Sequence, residues 1–154
     1  MKLAEALHLR ADLQKRISQL AERLNNNAKV QEGDSPAEDP ALLLSQLEES
    51  TDALASLIAS INKTNSTVMA DGMTLTDMIA QKDALSLRIS ILRNFLNEAS
   101  QKVERYSNKE IRIYSTVDIP KLQDTIDSLS KELRQLDVRL QGLNWTVELI
   151  EASL

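Results

Sequence analysis

The sequence predicts an all-α protein: four long helices in an elongated coiled-coil-like bundle, with a small two-stranded β ribbon. Apolar residues recur at steps of three and four along most of the chain, which is the spacing of one helical face. Only three glycines and three prolines interrupt the 154 residues, too few for the turns of an all-β fold. Aromatic residues make up 3%, so the apolar content is mostly leucine, isoleucine and alanine. The length predicts a single helical-bundle domain over residues 1–154.

The first helix is predicted from Leu3 to Asn26, and its apolar stripe is interrupted by one charge, Arg10. The stripe consists of Leu3, Leu7, Arg10, Leu13, Ile17, Leu20 and Leu24. Residues 27–40 are polar and contain one glycine and two prolines, so they cannot continue the helix. Asp39 followed by Pro40 predicts a new helix start, with a carboxylate cap and a proline in the first helical position.

Helix two is predicted from Pro40 to about Thr64, and a turn over residues 65–73 follows it because Asp71-Gly72 favours one. The stripe of helix two consists of Leu43, Leu47, Ser50, Leu54, Leu57 and Ile61. Thr74 and Asp77 have the spacing of a capping box, which predicts the start of helix three.

Helix three has one stripe with a single polar break and further apolar residues beside it. The stripe consists of Leu75, Met78, Lys82, Leu85, Ile89, Leu92, Leu96, Ala99 and Val103. Leu87, Ile91 and Phe95 widen the apolar surface beyond one seam, which predicts contact with more than one neighbour.

The period changes to two between Lys109 and Val117, where Ile111 and Ile113 alternate with Arg112 and Tyr114. This pattern predicts a short strand, and a lone strand leaves its backbone groups unpaired. We predict that residues 28–31 supply the partner, so that 28–31 pairs with 111–117 at one end of the bundle.

Helix four is predicted to start at Asp118, with Pro120 in its first turn, and to continue to Leu154. Its stripe alternates steps of four and three without an error, as in a supercoiled seam. The stripe consists of Leu122, Ile126, Leu129, Leu133, Leu136, Leu140, Leu143, Val147, Ile150 and Leu154. At ~1.5 Å per residue this helix would be about 50 Å long, which predicts an elongated molecule.

Composition narrows the classes of partner. The net charge is −5, and no cluster of lysine and arginine forms the basic stripe typical of nucleic-acid binding. Cysteine is absent, so disulfides and thiolate metal sites are excluded. No window approaches 18 uninterrupted apolar residues, and charges interrupt the N-terminal residues too early for a signal peptide. We expect a cytoplasmic protein with no membrane or nucleic-acid partner.

Glu5 and His8 form the only candidate metal pair, with the i, i+3 spacing used in di-iron helical bundles. Such sites need two of these pairs and two further glutamates, and the chain has one histidine. A site shared between subunits of a symmetric oligomer stays open, and the alternative is a surface histidine. We expect no cofactor and no catalytic residue, since no serine has a positioned histidine and acid, and no glycine-rich phosphate loop is present.

Arg10 and Lys82 occupy stripe positions where leucine is expected. A buried charge needs a partner, so we interpret Arg10 as pairing with a carboxylate such as Asp83 or Asp137 and fixing the helix register.

The alternative is an anion-binding pocket lined by Arg10, Lys82, Arg88 and Arg93. The structural interpretation is the preferred one. Trp145, the only tryptophan, is either an interface anchor or a cover for the end of the bundle.

Six short runs along the chain together resemble a family of uncharacterised bacterial proteins, some members of which are labelled septicolysin. The runs are LRADLQ at 9–14, NAKVQEGD at 27–34, INKTN at 61–65, RYS at 105–107, TVD at 116–118 and NWT at 144–146. The resemblance implies a bacterial source, and the label implies a pore-forming cytolysin. The sequence has no export signal and no amphipathic strand pairs of spanning length, so the membrane-active reading is disfavoured.

The surplus apolar surface of helices three and four, without a catalytic constellation, predicts a non-enzymatic oligomeric interaction or scaffold protein. A homo-oligomer is therefore expected, and the sequence does not indicate a small-molecule ligand. The alternative is an enzyme, or a metal-binding or anion-binding protein, whose site forms between subunits.

Overall fold

The protein is all-α with one small β ribbon, as the sequence predicts. The computed structural model describes residues 1–101 and 111–153. The helices are α1 (Leu3–Asn26), α2 (Pro40–Thr67), α3 (Leu75–Ser100) and α4 (Ile119–Thr146), and the strands are β1 (Met69–Ala70) and β2 (Met73–Thr74). Among the helices so described, none has a stretch long and apolar enough to cross a membrane.

The chain divides into two compact units. Unit 1 consists of Met1–Leu75 and Gln141–Leu154, and unit 2 consists of Thr76–Leu140. The sequence prediction of a single domain over residues 1–154 stays a prediction.

Unit 1 has its core between α1 and α2. The apolar stripes predicted for both helices face inward, since Leu20, Leu43 and Ile61 are almost completely buried. On α2, the buried face extends beyond the predicted stripe to Thr64, which is fully buried. The helix ends three residues later, at Thr67. Helix propensity alone does not hold such helices together, so this buried apolar face is what stabilises the pair.

The connection between α1 and α2 is held by the last turn of α1. The Asn27 side chain donates to the Arg23 carbonyl (2.8 Å) and accepts from the Glu38 backbone N–H (2.9 Å). Arg23 also forms an ion pair with Glu38. The helix start is confirmed: the Asp39 carboxylate accepts from the Ala41 N–H (3.0 Å), with Pro40 in the first position of α2.

The β ribbon is confirmed, but its predicted position is wrong. β1 and β2 pair antiparallel across Asp71-Gly72, and residues 28–31 and 111–117 form no strand. Asp71 and Gly72 have φ angles of 53° and 83°, the left-handed values that a tight hairpin turn requires at both central positions. Closing this two-residue loop costs far less chain entropy than joining segments some eighty residues apart. Lys109 and Glu110, which directly precede the predicted strand, lie outside the described residues.

The predicted end of helix four is also wrong. α4 stops at Thr146 instead of continuing to Leu154, the last residue, which is not described. Residues 147–153, called the tail segment below, are not helical, and Glu148 forms an isolated antiparallel bridge with Lys2. The Leu3 N–H donates to the Val147 carbonyl (2.9 Å), and the Leu149 N–H donates to the Met1 carbonyl (2.9 Å). The heptad pattern continues through the tail segment, but these bonds to the start of the chain replace helical ones.

Unit 2 contains α3 and the first part of α4, which lie antiparallel. Lys82 contacts Asp137 and Arg93 contacts Ser130, so the residue number rises along one helix as it falls along the other. The side chains of α3 that are buried or half-buried are those of the predicted stripe, ending at Ala99. Val103, the last predicted stripe residue, lies outside the described residues. The Asp118 carboxylate caps α4 by accepting from the Lys121 N–H (3.1 Å), as predicted.

Candidate functional site

One surface feature of unit 2 is a second apolar row on α3. Leu87, Ile91 and Phe95 are 63%, 58% and 43% exposed. They are spaced four residues apart and therefore lie on one line of the helix. This line is well separated from the stripe that contains Ile89, which is buried. The row is called the outer stripe below.

The outer stripe differs from ordinary scattered surface residues because its three members are adjacent. Single exposed apolar side chains are normal on a soluble protein, whereas a contiguous row marks an interaction surface. Val138 on α4 is an isolated case of the ordinary kind, at 72% exposed. The sequence predicted an apolar surface at these three residues, and all three side chains are exposed in the structure.

Lys82 lies half-buried on the seam between α3 and α4, and its ammonium is 2.6 Å from the Asp137 carboxylate. The two side chains are 36% and 43% exposed, so water screens the pair and its effect on stability is small. The contact does fix which residues of the two helices lie opposite each other. Lys82 thus has a carboxylate partner on the facing helix, which is the kind of partner predicted for Arg10.

Arg88 and Arg93 have different neighbours along α4. Arg88 lines a shallow groove with Leu85, Glu132 and Leu136, and the Arg93 guanidinium donates to the Ser130 hydroxyl (3.2 Å). Both arginines are exposed. The predicted anion pocket, in which these side chains converge, stays a prediction.

Arg10 lies half-buried on the inward face of α1, in unit 1. The ion pairs found among residues 1–101 and 111–153 do not include it. Of its two suggested partners, Asp137 is paired with Lys82. Its role in register stays a prediction.

Glu5 and His8 lie on α1, each with a different neighbour. The Glu5 carboxylate accepts from the Lys2 N–H (2.7 Å), which satisfies a free donor at the start of α1. The exposed His8 ring lies 6.3 Å from the Trp145 ring, tilted by 44°. Within the described part of the chain, histidine and acidic side chains form no group of three or more that could hold a metal ion. Trp145 is 58% exposed at the end of α4, so it lies beside His8 on the surface of unit 1.

Three ion pairs among the described residues of unit 1, which involve two carboxylates, were not predicted from the sequence. The hydrogen bond from Arg23 lowers the pKa of Glu38, and the same bond raises the pKa of Arg23. The hydrogen bond from Lys2, and a second from the Met1 amino group, lower the pKa of Glu148. The partners are far apart in sequence, or lie across an irregular loop, so helical spacing carries no signal for them.

Comparison with known proteins places the chain beside others whose activity is unknown. No curated protein matches it. A crystal structure described as that of a functionally unknown conserved protein from Corynebacterium diphtheriae is similar, with 42% identity and a TM-score of 0.88. The match covers 97% of this chain and 99% of that chain. Neither comparison carries the septicolysin label. Residues 10–149 match DUF6847, described as a family of unknown function. The chain therefore belongs to this family of unknown function.

Proposed function

We propose that this protein is an interaction protein that works as a homo-oligomer, assembled through the outer stripe of α3. The observation that supports this proposal is the exposure of Leu87, Ile91 and Phe95 in one line. A helix at the surface of a monomer needs one apolar face, and α3 has two. The second face stabilises the protein only when another surface covers it and removes its side chains from water.

A second copy of the chain suits this face because an apolar line can pack against itself about a twofold axis. Most soluble oligomers are built from such self-complementary contacts. Each copy then contributes the same three residues to the contact, so the outer stripe needs no complementary surface elsewhere on the chain.

The free energy of burial indicates a reversible assembly. Burying an apolar side chain completely is worth about 1.5–3 kcal/mol, so covering the exposed parts of six such side chains yields roughly 5–10 kcal/mol. Association costs an estimated 4–15 kcal/mol in lost translational and rotational freedom. The two amounts are similar, so the stripe alone supports self-association that depends on protein concentration.

The test is the molar mass in solution, measured by size-exclusion chromatography with light scattering from micromolar to millimolar protein. We expect the mass to rise above the 17.2 kDa of one chain as the concentration increases. The double variant Leu87→Glu with Ile91→Glu should remain at 17.2 kDa throughout. Circular dichroism checks that the variant keeps its helices.

The control is Val138→Glu, which places one such charge on an isolated exposed apolar residue of the same unit. It should assemble like the unmodified protein. A mass of 17.2 kDa for the unmodified chain at every concentration would refute the proposal. Equal assembly by the double variant would refute the assignment to the outer stripe.

A further inference from the structure

The tail segment lies against a row of hydroxyl groups on α2. The Ile150 N–H donates to the Thr64 hydroxyl (2.8 Å), and the Ala152 N–H donates to the Ser60 hydroxyl (3.0 Å). The two N–H groups belong to alternate residues and both point towards α2, as they would in an extended chain. The segment runs antiparallel to α2, since its residue numbers rise as those of its helix partners fall.

Each hydroxyl is prepared to accept, because its own hydrogen is already used. The Thr64 hydroxyl donates to the Ser60 carbonyl (2.8 Å), and the Ser60 hydroxyl donates to the Ser56 carbonyl (2.9 Å). A hydroxyl has one hydrogen to donate and lone pairs to accept. Thr64 is fully buried and Ser60 is 6% exposed, so leaving either lone pair without a donor would be unfavourable. The row therefore requires hydrogen-bond donors, and the backbone N–H groups of the tail segment supply them.

The spacing of the row matches an extended peptide. Residues four apart on a helix rise about 6 Å, and two residues of a strand advance roughly 6.6 Å. The same i, i+4 row continues beyond Ser60 to the hydroxyl of Ser56 and the carboxylate of Asp52, which are both exposed. The hydrogen bonds and ion pairs found among the described residues include neither of these two side chains, so the tail segment uses only half of the row.

Ser56, the nearer of these two residues, lies in the lining of an apolar groove of about 370 Å³. Ser56 and Leu57 of α2 form one wall, Leu9 and Leu13 of α1 form the other, and Ala152 of the tail segment is also in the lining. The groove thus continues the path on which the tail segment already lies. All of these residues belong to unit 1.

We propose that the groove between α1 and α2 is a binding site for an extended peptide, which the chain's own tail segment occupies as an internal ligand. The occupant is an extended strand with free N–H groups at alternate positions and apolar side chains such as that of Leu149. The Lys63 ammonium adds a further backbone contact, to the Glu151 carbonyl (2.9 Å). A partner peptide that displaces the tail segment and reaches Ser56 gains one contact that the tail segment lacks.

This recognition is a variant of strand addition, in which a peptide pairs with the edge of a sheet. Here a row of helix hydroxyls takes the place of the sheet edge. Because backbone groups make the contacts, the site tolerates different peptide sequences, and the requirement for N–H groups provides the test.

The test uses the full chain with Ile150→Pro and Ala152→Pro, since proline has no N–H to donate. These changes remove both bonds to the α2 hydroxyls, so residues 150–153 are released from α2 while Ser60 and Thr64 stay in place. The probe is a fluorescent peptide with the sequence of residues 147–153, followed by anisotropy. We expect it to bind this variant at least about tenfold more tightly than the unmodified chain, whose attached tail competes at a millimolar effective concentration.

Three controls isolate the hydroxyl contacts. The chain with Ile150→Pro and Ala152→Pro is called the open variant. The peptide methylated on the N–H groups that correspond to Ile150 and Ala152 should not bind it. Adding Ser60→Ala and Thr64→Val to the open variant should abolish binding while keeping the side-chain volumes similar. Glu151→Pro alone should leave the tail segment in place, because the Glu151 N–H takes part in none of the described hydrogen bonds.

Hydrogen exchange on the unmodified chain supplies a measurement that does not depend on the variants folding. The amides of Ile150 and Ala152 should exchange more slowly than that of Glu151. Protection of these two amides, together with no binding of the peptide to a folded open variant, would overturn the proposal, because the tail segment would then be a fixed structural part. Equal exchange at all three positions would overturn it as well.

Discussion

At the residue scale, Glu148 connects the tail segment to the beginning of the chain. Its carboxylate lies 2.5 Å from the Lys2 ammonium and 3.3 Å from the Met1 amino group. These donors bind the ionised form, which is why the pKa of Glu148 lies below its ordinary value of 4.5. The carboxylate is largely exposed, so water screens the interaction and its contribution is modest.

The pH dependence of stability follows from the direction of this shift. A carboxyl whose pKa is lowered by folding stabilises the protein above its unfolded pKa and loses that effect as the pH falls through the folded pKa. We expect Glu148→Gln to lower the melting temperature slightly at pH 7. The difference from the unmodified protein should disappear as the pH falls below 4.5.

The control for this prediction is Glu151→Gln, which removes the same charge from the same segment. Its carboxylate takes part in none of the ion pairs of the described residues, so the substitution should have a smaller effect at pH 7. Thermal melts by circular dichroism across this pH range are the measurement. A difference for Glu148→Gln that persists unchanged in acid would contradict the assigned ion pair.

At the scale of elements, glycine has opposite roles in the ribbon and in α4. Gly72 has a φ of 83°, a left-handed conformation that favours glycine, and it lies in the turn between β1 and β2. Gly142 lies within α4, where glycine is a poor helix former. A methyl group added at either position would have no atom within 4 Å, so packing does not separate the two cases.

Backbone conformation alone therefore decides whether a glycine-to-alanine substitution stabilises or destabilises the protein. We expect Gly72→Ala to destabilise by about 1–2 kcal/mol, the cost of a left-handed conformation for a residue with a Cβ. Gly142→Ala should stabilise by about 0.5–1 kcal/mol. Urea denaturation measures both, and each variant is the control for the other. The prediction would be contradicted if the two substitutions changed the free energy of unfolding in the same direction.

At the scale of the whole molecule, the buried core is divided unequally between the two units. Thirteen apolar side chains of the described residues are buried, and nine of them belong to unit 1. The other four, which belong to unit 2, are Met78, Ile89, Ile126 and Leu140. A smaller apolar core contributes less free energy against opening.

We therefore expect the helical amides of unit 2 to open at a lower free energy than those of unit 1. Native-state hydrogen exchange measures this directly, for example at Ile89 and Ile126 compared with Leu20 and Ile61. If the outer stripe assembles the chain, higher protein concentration should increase protection in unit 2 alone. The Leu87→Glu, Ile91→Glu variant should not show that increase. Equal opening free energies for both units would contradict the prediction and would support one cooperative domain.

The sequence by itself determined the helices and the apolar face of each one. The stripes of α1 and α2 are buried or half-buried as predicted, and Asp39 and Asp118 cap the helices that they were predicted to cap. Asp71-Gly72 also marked its turn. These features depend on residues close together in the chain, so local periodicity and capping chemistry are sufficient to specify them. The three residues of the outer stripe were identified for the same reason.

Only the tertiary structure decided which segments meet. An alternating pattern at residues 111–117 favours a strand, but a strand also needs a partner, and the ribbon formed where a two-residue turn supplied one. The apolar repeat of α4 continues to Leu154, yet the helix ends at Thr146 because Met1, Leu3 and the α2 hydroxyls bond to the tail segment. Hydrogen bonds between segments distant in sequence compete with helical ones on nearly equal terms. No local pattern determines which of them wins.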